Sequence, residues 1–315
     1  MNKAVKVAAA AILGAGGAYL GVGAAVCEAV LGRKRLNREP ENPLEIPQLK
    51  MRYETNESVK KSDDLYMSLS PADTVISTPK GKLHGRIITA ETQTHIWAIT
   101  VHGYSSHPRF MAQQAMHYYE KGYNVILPCL RGHRQDKRRH SSFGYYERYD
   151  IIEWINYILT LDEKAEIILH GCSMGAATVM LTTGEKLPQN VKCAVADCGY
   201  TSAWEEFGEQ ITNVVKLPRF PFLYAANTAN TLFFGWNFKD CSPRNAVAAS
   251  KTPTLFIHGE ADTFVPYKMM ADLYAHCSAE KDRLTCPGSF HDTSCEDHPD
   301  LYWEKTDGFI LKFIK

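Results

Sequence analysis

The chain has 315 residues, of which 45% are hydrophobic and 22% charged, a composition typical of a globular protein with one large core or two small ones. It carries 35 Lys and Arg against 35 Asp and Glu, and this balance argues against a protein whose main task is to bind nucleic acid. Nine cysteines occur without a CxxC pair, so we expect reduced, buried thiols, which favour a reducing compartment.

The first 40 residues differ in kind from the rest of the chain. The segment Val7–Cys27 has no charged residue and is long enough to cross a bilayer as a helix. Of its 21 residues, 13 are Ala or Gly. We therefore predict a transmembrane or signal-anchor helix within residues 1–32, followed by a linker and lead-in over 33–74. Basic residues flank the segment: Lys3 and Lys6 before it, and Arg33, Lys34, Arg35 and Arg38 after it.

The same flanking charges predict the orientation of this helix. More basic residues follow the apolar segment than precede it, which places the rest of the chain on the cytoplasmic face of the membrane. The alternative is an export signal, which also has a short basic start before an apolar run, and an extracytoplasmic location.

From about residue 75 to residue 315, short apolar runs alternate with helical patterns. This alternation predicts an α/β domain with a mostly parallel sheet covered by helices on both faces. The predicted strands are 96–101, 124–130, 166–170, 192–198, 252–259 and 282–287. The predicted helices are 108–122, 147–161, 174–186, 267–277 and 299–314.

One long insertion interrupts the alternation. The 53 residues 199–251 separate two predicted strands and are rich in aromatic residues. A structureless loop of this length is uncommon in a compact domain, so we expect a helical lid. Parallel sheets bind ligands at the carboxyl ends of their strands, and the lid is expected to cover that edge.

A serine lies where one predicted strand meets the next helix. Gly171, Cys172, Ser173, Met174 and Gly175 match the pattern GxSxG, which presents a nucleophilic serine on a sharp strand-to-helix turn. We therefore predict that Ser173 is a nucleophile on an elbow formed by Gly171, Cys172 and Gly175. The alternative is a serine that caps the following helix.

A nucleophilic serine needs a base, and the base needs an acid that orients it. His291 and Asp262 each follow a predicted strand, on loops at the edge of the sheet where Ser173 lies. We predict that they are the base and the acid. Asp262 as a turn residue and His291 as a surface histidine are the alternatives, and Asp197 is the second candidate for the acid.

The oxyanion of a tetrahedral intermediate needs two hydrogen-bond donors. The backbone N–H of Met174, at the start of a helix, is one candidate, and that of Tyr104, after strand 96–101, is the other. We expect the side chain of His102, beside Tyr104, only to pack or hydrogen-bond beneath the site.

At these motifs the sequence resembles the α/β-hydrolase superfamily, and more closely the bacterial membrane-anchored hydrolases of its serine aminopeptidase and monoacylglycerol-lipase-like branch. The resemblance covers about residues 75–315. The segments that carry it are VHGY, LPCLRGHRQD, LHGCSMGAAT, ADCGYTS, FIHGEADTFVP and HDTSCEDHPDLYWEKTDGFI. The family usually has RGHG and then a small residue, whereas this chain has Arg131-Gly132-His133-Arg134 and further basic residues, which leaves its substrate preference open.

The resemblance and the motifs together predict an esterase or lipase-like enzyme. We expect hydrolysis of a small-molecule carboxylic ester with an apolar acyl or alcohol group, through an acyl-enzyme and without a cofactor. One alternative is an aminopeptidase or amidase that binds a free amine through Glu205, Glu206 or Glu209; another is a non-catalytic binding module on the same fold. A metal site at His291, Cys295 and His298 is not expected, because the spacing offers no fourth ligand.

Overall fold

The computed structural model describes residues 3–32, 53–138 and 140–315. The basic residues predicted to follow the first helix, and the first part of the predicted linker, lie outside the described residues. Within the described part, eight strands form one sheet in the order β1-β2-β4-β3-β5-β6-β7-β8. The strands are β1 Ala72–Thr78, β2 Gly81–Ile88, β3 Ile96–Val101, β4 Asn124–Cys129, β5 Glu166–Cys172, β6 Val191–Asp197, β7 Thr254–Gly259 and β8 Lys281–Cys286.

The strands from β4 to β8 in this order are parallel, whereas β1 and β2 add two antiparallel pairings at one edge. The central strands are almost entirely buried, since helices cover both faces, and this explains their continuous apolar runs. The α/β class and the mostly parallel sheet predicted from the sequence are thus confirmed.

Helices cover the two faces of the sheet. They are α1 Lys3–Leu31, α2 Glu57–Leu69, α3 Ala112–Glu120, α4 Glu147–Leu161, α5 Met174–Thr183, α6 Ala203–Glu209, α7 Arg219–Phe234, α8 Pro243–Ala249, α9 Lys268–His276, α10 Ser294–Asp297 and α11 Pro299–Ile310. Trp154 of α4 is buried with Ile99 of β3 in the core of one face. Tyr118 of α3 and Phe309 of α11 are buried in the core of the other.

The described end of the predicted linker and lead-in contains a helix. Helix α2 begins at an Asn56 cap, whose side chain accepts hydrogen bonds from the N–H groups of Ser58 and Val59. It buries Tyr66, and Asp63 forms a two-point ion pair with Arg109, 46 residues later in the chain. The local sequence is too polar to predict this helix, because the partner that holds it lies far away in sequence.

The predicted first helix forms, as α1, but the predicted membrane span is not supported. None of the helices in the described residues combines the length and the apolar character needed to cross a membrane. The C-terminal end of α1 packs against α7 instead: a Cβ added to Gly23 would lie 2.1 Å from the carbonyl oxygen of Ala225. Gly23 therefore serves close helix packing, whereas Gly14, Gly16, Gly17 and Gly21 of the same helix have no neighbour within 4 Å of an added Cβ. The cellular location stays a prediction.

The insertion 199–251 folds into α6, α7 and α8, with a π-helical turn, Gln210–Val214, after α6. Aromatic side chains form its inner core, where Phe207 packs on Phe143 at a ring-centre distance of 4.5 Å and on Phe238 at 4.7 Å. Phe207 therefore binds the lid to the rest of the domain, whereas Phe220, Tyr224 and Phe233 of the same segment are exposed.

Candidate active site

Ser173 lies on the turn between β5 and α5 with φ 55° and ψ −118°, a strained conformation for a residue with a side chain. The flanking glycines make this turn possible. A Cβ at Gly171 would lie 2.2 Å from the carbonyl oxygen of Gly175, and one at Gly175 would lie 1.9 Å from that of Val101. The GxSxG pattern is thus a steric requirement of the turn, and the serine is not a simple helix cap, since its side chain makes no capping hydrogen bond.

The structure brings the three predicted catalytic residues together. The Nε2 atom of His291 is 2.9 Å from the Oγ of Ser173, and its Nδ1 is 2.7 Å from an Oδ2 of Asp262. The residues come from three different loops at the carboxyl ends of β5, β7 and β8. This is the geometry in which a serine proton passes to an imidazole whose other nitrogen is held by a carboxylate.

Asp262 is held as a carboxylate by four hydrogen bonds. Its Oδ1 accepts the N–H groups of Phe264 and Val265, both at 2.9 Å, and His258 Nε2 lies 3.2 Å from its Oδ2, which also faces His291. Burial alone raises the pKa of Asp262, but the hydrogen bonds from His258 and His291 outweigh it and lower this pKa to about 2. The acid is therefore ionised throughout the range in which the histidine titrates.

The pKa of His291 is raised well above its ordinary value. Burial lowers it, but the Cys198 sulfur and the Asp262 carboxylate both favour the imidazolium and prevail. Sequence reasoning missed Cys198 and His258 as neighbours of the triad. For His258 a signal existed, because it lies at the end of β7, four residues before Asp262.

The two predicted oxyanion donors lie beside the serine. Met174 is the first residue of α5, where a helix leaves its N–H groups without intrahelical acceptors. Tyr104 lines the same cavity as Ser173 and Met174. The loop before Tyr104 passes so close that a Cβ on Gly103 would touch the Ser173 Cβ at 3.4 Å.

Two buried histidines fix the loop that carries Tyr104. His102 donates from Nδ1 to the Gly103 carbonyl at 2.8 Å and accepts the Leu130 N–H at 3.1 Å. His133 accepts the N–H of Ser105 at 3.1 Å. His102 thus hydrogen-bonds beneath the site, as predicted, and His133 of the RGHR segment anchors the same loop.

The basic segment around residues 131–140 is tied down by acidic partners. Arg131 makes two hydrogen bonds, of 2.7 and 2.6 Å, to Asp150, and Arg138 pairs with both Asp136 and Asp150. Asp150 is therefore a structural counter-ion at the start of α4. Arg131 and Arg138 are thus both held in ion pairs within the protein.

Asp197, the second candidate for the acid, faces away from the triad. Its Oδ2 accepts a hydrogen bond of 2.9 Å from the Tyr302 hydroxyl, and its backbone carbonyl accepts the N–H of Ser173. Burial raises the pKa of its carboxyl well above the ordinary value. Asp197 therefore supports the turn that carries Ser173, while Asp262 is the carboxylate that contacts His291.

All nine cysteines are buried free thiols. Three potential metal ligands among the described residues, Cys172, Cys198 and Asp292, have ligand atoms within 4.8 Å of one another. Hydrogen bonding accounts for their closeness: the Cys172 thiol lies 2.7 Å from Asp292 Oδ1 and 3.4 Å from the Cys198 sulfur. This group is not the trio considered from the sequence, of which His291 is engaged with Ser173 and Asp262.

A cavity of about 430 Å³ opens onto Ser173. Its walls are apolar side chains from the lid, among them Phe207, Ile211 and Leu223, together with Tyr104 and residues of α1. Cavities of this size bury small organic ligands.

Glu206 is the acidic side chain that lines this cavity. It is 2% exposed; its Oε1 accepts a hydrogen bond of 2.8 Å from Gln210, and its Oε2 has no partner among the described residues. Burial raises the pKa of Glu206 to about 8. Of the other glutamates considered from the sequence, Glu205 pairs with Arg219 and Glu209 with Lys268.

The comparisons with known proteins agree with this architecture. Residues 99–217 match the family model described as alpha/beta hydrolase fold, and residues 162–291 match that described as serine hydrolase (FSH1). The esterase Pf2001 of Pyrococcus furiosus superposes with a TM-score of 0.64 at 20% identity, over 80% of this chain and 94% of that one. The chain has the α/β-hydrolase fold.

Two further solved structures show the same likeness. Est1E of Butyrivibrio proteoclasticus superposes with a TM-score of 0.58 at 18% identity, over 76% of this chain and 98% of that one. The acylaminoacyl peptidase of Pyrococcus horikoshii superposes with a TM-score of 0.55 at 16% identity, over 76% of this chain and 41% of that one. At such low identities the likeness concerns the fold.

Relatives by sequence are also distant. The chain is 28% identical to the uncharacterized protein YqkD of Bacillus subtilis over 154 residues. This match covers 49% of this chain and 50% of that protein. Over 202 residues it is 24% identical to the uncharacterized protein YfhR of Escherichia coli, 62% of this chain and 63% of that protein. The matches thus span from half to under two thirds of these relatives.

Proposed function

We propose that this α/β-hydrolase cleaves carboxylic esters through an acyl-enzyme on Ser173. The observation that carries the proposal is the continuous contact from Ser173 to His291 to Asp262, at 2.9 and 2.7 Å, at the inner end of an apolar cavity. The esterases with the same fold support ester chemistry as the reaction class.

The proposed reaction has two halves. The Oγ of Ser173 attacks the ester carbonyl carbon while Nε2 of His291 accepts the serine proton, and Asp262 stabilises the imidazolium. The N–H groups of Tyr104 and Met174 stabilise the oxyanion, and His291 then gives its proton to the leaving alcohol. Water, deprotonated by His291, attacks the acyl-enzyme and releases the acid and Ser173.

The character of the cavity supports an apolar acyl or alcohol group. Its walls are lined chiefly by aliphatic and aromatic side chains, and burial of such surface is favourable by roughly 25 cal/mol per Å². An anionic substrate group would lose its hydration there without a partner of opposite charge. We therefore place uncharged esters first among the substrates.

Replacement of Ser173 by Ala tests the nucleophile. We expect the rate of ester hydrolysis to fall on the order of 10⁴-fold or more, because the triad acts as a unit. We also expect a fluorophosphonate to label Ser173 in the wild type and to leave the variant unlabelled. Activity near that of the wild type in the purified variant contradicts the assignment, and a wild type that forms no adduct favours the non-catalytic binding module.

A second candidate function is hydrolysis of amides or peptides, and Glu206 is the observation that favours it. Its unpartnered Oε2 in the cavity offers an acceptor to a substrate amine. A carboxyl with a pKa of about 8 is mostly protonated at neutral pH, however, and attracts an ammonium group less than a carboxylate does. Parallel assays of aminoacyl amides and acyl esters separate the two functions, with faster ester cleavage expected.

A further inference from the structure

The C-terminal end of α1 forms one wall of the cavity that opens onto Ser173. Five residues near the end of this helix line the cavity: Val26, Cys27, Ala29, Val30 and Leu31. This helix precedes the first strand of the sheet by 40 residues, with β1 starting at Ala72. The part of the chain whose sequence predicts a membrane anchor thus lies within reach of a substrate bound at the serine.

Contacts with the lid hold this wall in place. Gly23 allows α1 and α7 to approach until a Cβ would overlap the Ala225 carbonyl oxygen at 2.1 Å. One turn later, the thiol of Cys27 donates to the carbonyl oxygen of Ala226 at 3.2 Å. Larger side chains on the face of α1 that contacts α7 are incompatible with such close packing. The wall is therefore packed directly against the lid.

Contacts with the catalytic body hold the other side. The Tyr104 hydroxyl donates to the carbonyl oxygen of Val30, so α1 touches the residue whose N–H is proposed to bind the oxyanion. Nε2 of His140 lies 2.8 Å from Glu28, and the N–H of Ser141 donates to the Leu31 carbonyl at 3.1 Å. The end of α1 is therefore fixed between the lid and the loops beside Ser173.

The side chains of this wall indicate which kind of ligand group it contacts. Apart from the weakly polar thiol of Cys27, its side chains are aliphatic, and Val26 and Val30 are only partly buried, so their surfaces remain available to a ligand. An alkyl chain is the ligand that such a surface binds best. Tyr104 lines the cavity together with Ser173, and its hydroxyl contacts Val30, so an alkyl chain that extends from an acyl group on Ser173 along Tyr104 would meet Val30.

We propose that α1 is part of the acyl-binding site of this hydrolase, and that Val30 and Ala29 limit the length of the acyl chain that Ser173 accepts. This inference rests on the proposed esterase function and names the residues that determine the length of the acyl chain. The specificity of the enzyme then depends on a helix outside the segments that match the two hydrolase family models, which begin at residues 99 and 162.

The test compares three variants of the full-length protein. Val30→Phe and Ala29→Phe add a ring to residues that line the cavity, whereas Ala25→Phe adds the same ring to an exposed alanine one turn earlier on α1 that is not among the lining residues. Ala29 is itself exposed, so its substitution keeps the test open even if Val30→Phe fails to fold. Each protein is assayed on p-nitrophenyl esters from acetate to laurate, and on acetate esters of alcohols with the same range of chain lengths.

We expect both lining variants to lower kcat/KM for laurate about tenfold or more, a range typical of pockets that discriminate by size, and to change the value for acetate less than about threefold. We expect Ala25→Phe to follow the wild type at every chain length. Equal profiles for the lining variants and the control overturn the proposal, and so does a response confined to acetates of long-chain alcohols, which would place the alcohol at this wall.

Labelling with alkyl fluorophosphonates of increasing chain length separates this inference from the proposed function. A wild type that is labelled but cleaves no ester contradicts the esterase assignment, and the chain-length dependence of labelling in the same variants then decides the role of α1. A wild type that reacts with neither esters nor phosphonates overturns both.

Discussion

Replacement of Glu206 by Gln tests whether the cavity beside Ser173 is as apolar as its walls indicate. The glutamate is 2% exposed, and burial raises its pKa from 4.5 to about 8, whereas glutamine has nearly the same shape and no charge at any pH. In the unfolded chain the carboxyl ionises above about pH 4.5, while in the folded chain it stays protonated until about pH 8. The unfolded state therefore binds fewer protons, and the glutamate lowers the stability as the pH rises between these values.

The size of the effect follows from the shift. Each pH unit between the two pKa values changes the free energy of unfolding by about 1.4 kcal/mol, and between pH 5 and pH 7 the change amounts to about 2 to 3 kcal/mol. The stability of Glu206→Gln relative to the wild type should thus increase by that amount over these two pH units. With a urea m-value of about 3 kcal/mol/M, the difference between the two unfolding midpoints should grow by ~0.8 M.

Urea unfolding of both proteins at pH 5, 6 and 7 measures this difference, because all other titrating groups are common to the pair. Glu205→Gln is the matched control: it makes the same substitution at the neighbouring glutamate, whose carboxylate is partly exposed and paired with Arg219. A difference between wild type and Glu206→Gln that is the same at pH 5 and pH 7 would refute the reasoning. Above pH 8, ionisation of Glu206 should also raise the KM of the wild type for apolar esters, and not that of the variant.

Three further predictions concern the catalytic groups and the turn that presents Ser173. Asp262→Asn should lower the rate of ester hydrolysis less than His291→Ala does, by roughly one to two decades, as is usual for an orienting acid. A larger loss of rate from Asp197→Asn than from Asp262→Asn in the same assay would show that the acid is misassigned. Cys198→Ala should move the rising limb of the plot of kcat/KM against pH to lower pH. The Cys198 sulfur raises the pKa of His291, and only neutral imidazole accepts the serine proton. A rising limb at the same pH as in the wild type contradicts this coupling. Gly175→Ala should destabilise the fold by ~3 kcal/mol or more in thermal or urea unfolding, because its Cβ would lie 1.9 Å from a carbonyl oxygen, and a stability equal to that of the wild type speaks against the close packing of this turn.

The sequence by itself determined the α/β class, the central strands, and the positions of Ser173, Asp262 and His291 on three loops. These features are encoded locally. A buried parallel strand needs a continuous apolar run, and the elbow needs small residues on both sides of the serine, so both leave a signal within a few residues. Strand β3 at Ile96–Val101 and helix α4 at Glu147–Leu161 have the bounds that the pattern predicts.

Only the tertiary structure decided what surrounds the triad. The Asp63–Arg109 ion pair that holds α2, and the Cys198 sulfur that faces His291, join residues far apart in the chain. The local sequence of α1 records only that it is apolar and small, a property that membrane insertion and close packing on a lid helix share. The contacts of Gly23 with Ala225 and of Val30 with Tyr104 exist only in the folded chain, because packing depends on which surfaces meet.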